Sequence, residues 1–333
     1  MSKITGKTFS TDGDASLPLV IVNPKSAAGA TASRWAETAS ELRAHFGAFQ
    51  VAFTKAAGDG TNLALRAAAQ NRRLVIACGG DGTINEVANG ILQSGKDIEL
   101  GILPSGTGGD FRRTIGMANG VRDAARQLRE GTTKTIDVGK VTFADFAGAT
   151  VERYFLNVSS FGLSASIIER VKTTTGLKWL PHDLLRGKAS FALSTLQEVF
   201  DLNFTTVRVK IDGGAEKTLN TINFAVANSR FFGGGMKIAP DAAINDGLLD
   251  VINIGDIKTA KILLNAYTLY NGTHLNLSEV KSTQARRIEI SPADKSVAVH
   301  LEIDGELPGK LPAVYEIVPR ALKIRVPPPS LIV

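Results

Sequence analysis

The segment LVIACGGDGTINEVANGI at residues 74–91 constrains this chain more than any other. A continuous apolar run ends in Gly79-Gly80-Asp81-Gly82-Thr83, and a helical pattern starts at once, with Ile84, Val87, Ala88, Ile91 and Leu92 at the i, i+3, i+4, i+7, i+8 positions of a core-facing stripe. Glycine costs conformational entropy, and a charge at the end of a buried strand needs a partner, so packing alone does not explain the junction.

The same alternation extends to both sides. LVIV (19–22), VAFT (51–54), LVIAC (74–78) and LGIL (100–103) read as buried strands. Between them lie amphipathic stretches, one carrying Trp35, Ala39, Leu42 and Phe46, another running from Leu63 through Leu65 to Ala69. A βαβ series of this kind predicts a doubly wound, parallel α/β domain.

Near residue 135 the pattern changes to closely spaced strands: DVGKVTF (137–143), RYFLNVSS (153–160), TVRVKI (206–211), INFAVAN (222–228), LLDVINI (248–254), ARRIEI (285–290), VAVHLEID (297–304) and ALKIRV (321–326). That half predicts a mainly antiparallel β-sandwich, interrupted by helical stretches at about 164–201 and 256–271. The expected organisation is a loose tail over 1–17, an α/β domain over 18–135 and a sandwich over 136–319, with about 320–333 returning to the first domain.

At 333 residues, 44% hydrophobic and 21% charged, the chain reads as soluble and globular. Its first seventeen residues hold no apolar core of a signal peptide, and no stretch reaches the ~18 apolar residues of a membrane span. The single cysteine, Cys78, reads as a core residue in a reducing compartment, so the cytoplasm is the expected location. A net charge of +6 suits an anionic partner. The basic residues form no RNA-binding motif, which argues against nucleic acid. His45, His182, His274 and His300 show no zinc-site spacing.

Glycines at a strand end let backbone N–H groups approach an anion, and the positive end of the following helix points there too. Asp81 beside bound phosphates would be repulsive without an intervening cation, so cradle and acid together imply Mg²⁺. A tight turn with Asp81 capping its own helix would also account for this loop taken alone. A second loop, LPSGTGGDF at 103–111, repeats the design with Thr107 and Asp110, and parallel strands would bring both loops to one sheet edge. Lys25, in IVNPKSAAGA, reads first as a solvated loop lysine and second as a phosphate contact, and Thr54 either touches a nucleotide or merely ends a strand. GILQSGK (90–96) lacks the Ser or Thr of a Walker A loop and reads as a helix C-cap, and GDGTIN lacks the third glycine of a dinucleotide fingerprint.

On NPKSAAG (23–29), GGDGTINEVANGI (79–91), PSGTGGDF (104–111), NVSSFGLSA (157–165), GGGMKIAPDAAINDGLLDV (233–251) and DGELPG (304–309), the chain resembles the diacylglycerol kinase catalytic family in its bacterial soluble branch, which is related to sphingosine and ceramide kinases. These pieces run through nearly the whole chain in family order. GGDGT alone also fits NAD kinases and phosphofructokinases, whose α/β fold the first domain would share.

The resemblance implies ATP bound between the two domains as co-substrate, with contacts at Thr54, Gly79, Gly80, Asp81, Gly82, Thr83, Ile84, Asn85 and Thr107. It implies a structural Mg²⁺ at Asp246 with Ala243 and Leu248, and Glu306 as general base in transfer of a phosphoryl group to a lipid hydroxyl. Family members usually carry Asn where this chain has Gly109, which puts in doubt how firmly Asp110 or the nucleotide is held. Similar enzymes commonly form homodimers.

The stretch 170–200 interleaves Lys172, Lys178, Arg186 and Lys188 with Leu177, Trp179, Leu180, Leu184 and Leu185, a pattern that suits peripheral contact with an anionic membrane. A helix packed on the sandwich with a solvated basic side fits as well. The alternatives to a diacylglycerol kinase are a sphingoid or ceramide kinase, an NAD kinase-like enzyme and a non-catalytic nucleotide- or lipid-binding relative.

Overall fold

The computed structural model describes residues 16–106, 108–173 and 204–328. Residues 1–15 of the expected tail, Thr107, the segment 174–203 and residues 329–333 lie outside the described residues.

In the first half, β1 (Leu19–Val22), β2 (Gln50–Phe53), β3 (Leu74–Gly79) and β4 (Glu99–Pro104) pair in parallel in the order β4-β3-β1-β2. The linking helices are α1 (Ala30–Ser33), α2 (Trp35–His45), α3 (Asp59–Ala69) and α4 (Asp81–Ser94). After β4 come α5 (Asp110–Ile115) and α6 (Val121–Glu130). Val20, Ile21, Val75, Ile76, Leu100 and Ile102 are fully buried because helices cover both faces of the parallel sheet. Gly95 ends α4 in a left-handed C-cap, so GILQSGK is a helix terminus.

The second half is antiparallel. One layer is β12-β11-β10-β7-β14, formed by Val280–Ala285, Leu249–Ile254, Asn223–Ala227, Val158–Gly162 and His300–Ile303. The other contains β5 (Thr132–Asp145), β6 (Thr150–Phe155), β8 (Thr205–Ile211), β9 (Lys217–Thr221), β13 (Arg287–Pro292) and β15 (Glu306–Val326). Phe155, Phe161, Phe224, Leu301 and Tyr315 fill the space between the layers. Helix α7 (Leu163–Thr173) follows β7, and α8 (Thr259–Asn265) and α9 (Thr268–Asn271) follow β11.

Three strand expectations need correction. RYFLNVSS is two strands, β6 and β7, broken at Leu156-Asn157. ARRIEI divides between β12 and β13, because VKSTQA ahead of it is also a strand, too polar on its exposed positions to show an apolar run. ALKIRV is only the end of the 21-residue β15, whose earlier part is obscured in sequence by Pro308, Pro312 and Pro319. The register of β15 against β5 shifts between Lys310 and Ala313 and again between Val318 and Leu322, so Pro312 and Pro319 fall at irregularities where a missing N–H is tolerated. The end of β15 pairs in parallel with β4 through Lys323 and Ile324, making one strand common to both halves.

Candidate active site

The strand β3 ends at Gly79, and Gly80 precedes α4 in an extended conformation with no side-chain cap. Asp81 therefore does not cap its own helix. Its carboxylate turns to the neighbouring loop, where Oδ2 accepts the Gly109 N–H at 2.8 Å and Oδ1 the Phe111 N–H at 3.1 Å. The two glycine loops touch backbone to backbone: a Cβ on Gly106 would lie 2.4 Å from the Gly80 Cα. Gly109 has φ +67°, a conformation open to glycine and tolerated by Asn, and it starts α5.

Asp110, next in the chain, is buried and reaches the second half. Its Oδ2 accepts the Gly234 N–H at 2.9 Å, and its Oδ1 accepts from Arg113 at 3.0 Å. Burial pushes its carboxyl up to about 6, against the pull of the Gly234 hydrogen bond. With Gly109 in place, Asp110 is thus held by Arg113 and the Gly233–Gly235 turn.

A cleft of about 460 Å³ opens on the first of these loops, with no described residue of 103–111 in its lining. Asn23, Lys25, Ser26, Thr54, Lys55 and Ala56 form one wall, Gly80, Gly82, Thr83 and Glu86 the floor, and Glu306 reaches it from the second half. Of the residues expected to contact nucleotide, Thr54, Gly80, Gly82 and Thr83 line the cleft. Asp81 sits between two of its lining glycines with its carboxylate directed at 109–111. Gly79 ends the buried strand beneath, and Ile84 faces the core. Thr107 lies outside the described residues.

Several members of this wall stand outside the set expected to contact nucleotide. Lys25, read from sequence first as a solvated loop residue and second as a phosphate contact, is exposed and borders the cleft, as does Lys55. The Asn23 amide donates to Thr83 Oγ1 at 3.0 Å, tying the first strand end to the start of α4. Glu86 accepts the Gly58 and Gly60 N–H groups at 2.8 and 2.9 Å, fixing the loop after β2. The sequence signal was present, since the first two strand ends both carry small polar residues, but their convergence depends on the order of strands in the sheet. Uncapped helix N–H groups with two lysines nearby make the floor a seat for a polyanion.

Glu306 opens β15 just after Asp304-Gly305, a hairpin turn in which both residues have positive φ, 45° and 88°. Its Oε2 pairs with Arg153 at 2.9 Å, and both side chains are nearly half exposed. Asp304 is the anchor of the turn: it accepts N–H bonds from Leu156, Asn157 and Val158 at 2.8–3.0 Å and the Asn85 amide at 2.7 Å. Burial raises its carboxyl to about 6 despite these donors. The Asn85 side chain, expected at the nucleotide, is engaged by Asp304 and the Tyr154 carbonyl. Beneath the turn, buried Glu302 accepts the Gly305 N–H at 2.6 Å and a bond from Ser160, and burial pushes its carboxyl up to about 8.

Ala243, Asp246 and Leu248 lie in one loop before β11, clear of the cleft lining. Buried Asp137 clamps that loop: its N–H donates to the Ile244 carbonyl, and its carboxylate accepts the N–H groups of Gly247 and Arg320, each at 2.7 Å. Exposed Asp246 accepts the Leu248 N–H at 3.0 Å. Asp250 nearby is pushed up to about 6, by burial first and then by the negative charge of Asp246, with Asp241 adding to it. Among the described residues no three His, Cys, Asp or Glu side chains converge on a metal position. One carboxylate with backbone carbonyls in an acid-rich loop is nevertheless a hard oxygen donor set, which fits Mg²⁺.

Comparison with known proteins agrees with this architecture. Residues 18–141 match the diacylglycerol kinase catalytic domain, and residues 158–326 match the YegS C-terminal NAD kinase beta sandwich-like domain. A protein of Mycobacterium tuberculosis named diacylglycerol kinase is 30% identical over 269 residues, covering 80% of this chain and 81% of that one. One of Bacillus subtilis with the same name is 29% identical over 279 residues, covering 82% and 84%. A crystal structure of a proposed diacylglycerol kinase from Bacillus anthracis superposes with a TM-score of 0.72 at 25% identity, over 95% of this chain and 98% of that one.

Proposed function

This chain belongs to the bacterial diacylglycerol kinase family, and from that premise we propose that it moves the γ-phosphoryl group of ATP to the hydroxyl of diacylglycerol. The observation that carries the reading is the shared cleft: the uncapped start of α4, with Gly80, Gly82 and Thr83, faces Glu306 across one opening.

In this reading the triphosphate lies on the α4 floor, where helix N–H groups, Lys25 and Lys55 offset its charge. Thr54 contributes a hydroxyl from the wall and Thr83 one from the floor. Phosphoryl transfer needs alignment and charge neutralisation more than covalent help. The lipid hydroxyl enters on the Glu306 side. Glu306 accepts its proton as the oxygen bonds to the γ-phosphorus, the bond to the bridging oxygen breaks, and ADP departs. A positioned carboxylate in that role contributes about 10² to 10⁴ in rate. Arg153 pairs with Glu306 beside the cleft in the absence of substrate. The opening toward bulk water is consistent with Glu306 lying half exposed until lipid covers it.

Two places would hold Mg²⁺. A catalytic ion would sit with the phosphates near Asp81, whose oxygens retain lone pairs beyond the two loop N–H bonds. A structural ion would sit at Asp246 with the carbonyls of Ala243 and Leu248. Magnesium supplies charge neutralisation at the phosphates and rigidity at the second loop.

The test is a panel of acceptors with γ-labelled ATP: diacylglycerol, sphingosine, ceramide and NAD. Label in phosphatidic acid and in nothing else is the expected result. Label confined to another acceptor would reassign the substrate, and ATP bound without transfer to any of them would reject a catalytic role.

A further inference from the structure

Helices α8 and α9 carry an apolar surface that the catalytic cleft does not use. Leu263, Leu264, Tyr267 and Tyr270 are 41%, 76%, 62% and 55% exposed. Ala266 and Tyr267, between the two short helices, keep right-handed helical dihedrals, so 259–271 continues as one helical run. Positions 263, 267 and 270 then share one side of it, at i, i+4, i+7. The opposite side is ordinary core, with Thr268 buried and Leu269 packed against Ile238, Ala239 and their neighbours.

A helix lying on a water-soluble surface normally shows charge on its outer side. This one shows leucine and tyrosine, and the sequence from 257 to 278 contains no Asp or Glu. Its charges are basic and sit at the margins. Lys258 is exposed at the start, Lys261 is paired with Glu279 at 2.7 Å, and Lys237 lies beside Gly272 at the far end. Leucine below, tyrosine with its hydroxyl at the boundary and lysine at the rim is the composition of a helix that rests in the headgroup layer of a bilayer.

We propose that α8 and α9 form a seat on phospholipid membranes, with Leu263, Leu264, Tyr267 and Tyr270 entering the headgroup region and Lys258 and Lys237 facing anionic lipid. The choice of a bilayer over a second protein rests on the lipid-kinase reading above, together with the lack of Asp and Glu within 257–278 and the pairing of the bordering Glu279 with Lys261. The seat is one loop from the catalytic machinery. The Lys237 N–H donates to the Leu269 carbonyl at 2.7 Å, and Gly234, three residues earlier, donates to Asp110.

The experiment is co-sedimentation of the full chain with phosphatidylcholine vesicles, with and without phosphatidylglycerol, for the wild type, Leu264→Asp and Tyr267→Ser. Turnover of short-chain diacylglycerol dispersed in detergent is measured in parallel. Wild-type binding that is strengthened by phosphatidylglycerol, and weakened roughly tenfold or more by Leu264→Asp, is expected, since the substitution removes a buried apolar side chain from the bilayer and puts a charge in its place. Tyr267→Ser should weaken binding in the same sense, and all three proteins should turn over dispersed substrate equally. Undiminished binding by both variants, or no wild-type binding, overturns the seat. So does a dimer-to-monomer shift of Leu264→Asp in sedimentation velocity, which would make the surface a subunit contact. If the wild type binds vesicles through this face but turns over no lipid in detergent, the kinase reading fails and the seat stands.

Discussion

The Asn85 amide donates to Asp304 Oδ2 at 2.7 Å, joining the helix behind the first glycine loop to the turn that presents Glu306. The two residues are 219 positions apart in sequence. Asp304 is held in place by three backbone N–H groups, and Asn89 adds a second grip by accepting the Tyr154 N–H and donating to the Tyr154 carbonyl. The distance between the phosphate floor and the proposed base is therefore set by a hydrogen-bonded seam.

A double-mutant cycle tests the seam. Asn85→Ala should cost about 1–3 kcal/mol, because it leaves a buried carboxylate short of a donor. Asp304→Ala should cost more, since it strands three N–H groups as well. The coupling energy in chemical denaturation should fall in the range of about 0.5–3 kcal/mol. Strict additivity would mean that the contact contributes nothing.

Two glycines should separate packing from ligand contact. Gly106→Ala places a Cβ against the Gly80 backbone and should destabilise by about 1–3 kcal/mol. Gly82→Ala meets nothing within 4 Å, yet its position lines the cleft. Stability should hold while nucleotide affinity drops by roughly tenfold or more, as a single added carbon does in a fitted site. Calorimetric titration with an ATP analogue alongside thermal melting reads both effects, and unchanged affinity in Gly82→Ala would move the triphosphate elsewhere.

Glu306→Gln should leave folding nearly intact. The ion pair it breaks with Arg153 is exposed on both sides and is worth at most about 1 kcal/mol. kcat should fall by about 10² to 10⁴ with little change in KM for ATP. Full turnover in the variant would remove Glu306 as base.

Glu302 gives stability a pH dependence of definite sign. Its folded-state value is raised from 4.5 to about 8, so the folded protein keeps a proton that the unfolded chain releases. Its contribution is complete below about pH 4.5 and is lost as pH rises toward 8, at a slope on the order of 1 kcal/mol per pH unit. Glu302→Gln, neutral at every pH, should flatten that part of the stability curve. Asp110 titrates in the same direction in both proteins and cancels in the difference between denaturation curves, which therefore reports Glu302 together with its coupling to Asp304. A difference that stays constant from pH 5 to 8 would show that Glu302 does not bind a proton in that window.

What the sequence determined by itself was local. Apolar period and glycine chemistry fixed the βαβ series and the change to antiparallel strands, because each is set by neighbours a few residues apart. Prolines hid most of β15, since their effect depends on where the partner strand allows a missing donor. Tertiary structure alone decided how charges were used. Asp81, readable as a helix cap or a metal ligand, was turned onto Gly109 and Phe111, and Asn85 was drawn to Asp304. Lys25, readable as a loop lysine, came to border the cleft. A hydrogen bond is short-ranged and directional, so its partner is settled only when distant segments have been brought within about 3 Å, and no spacing along the chain encodes that meeting.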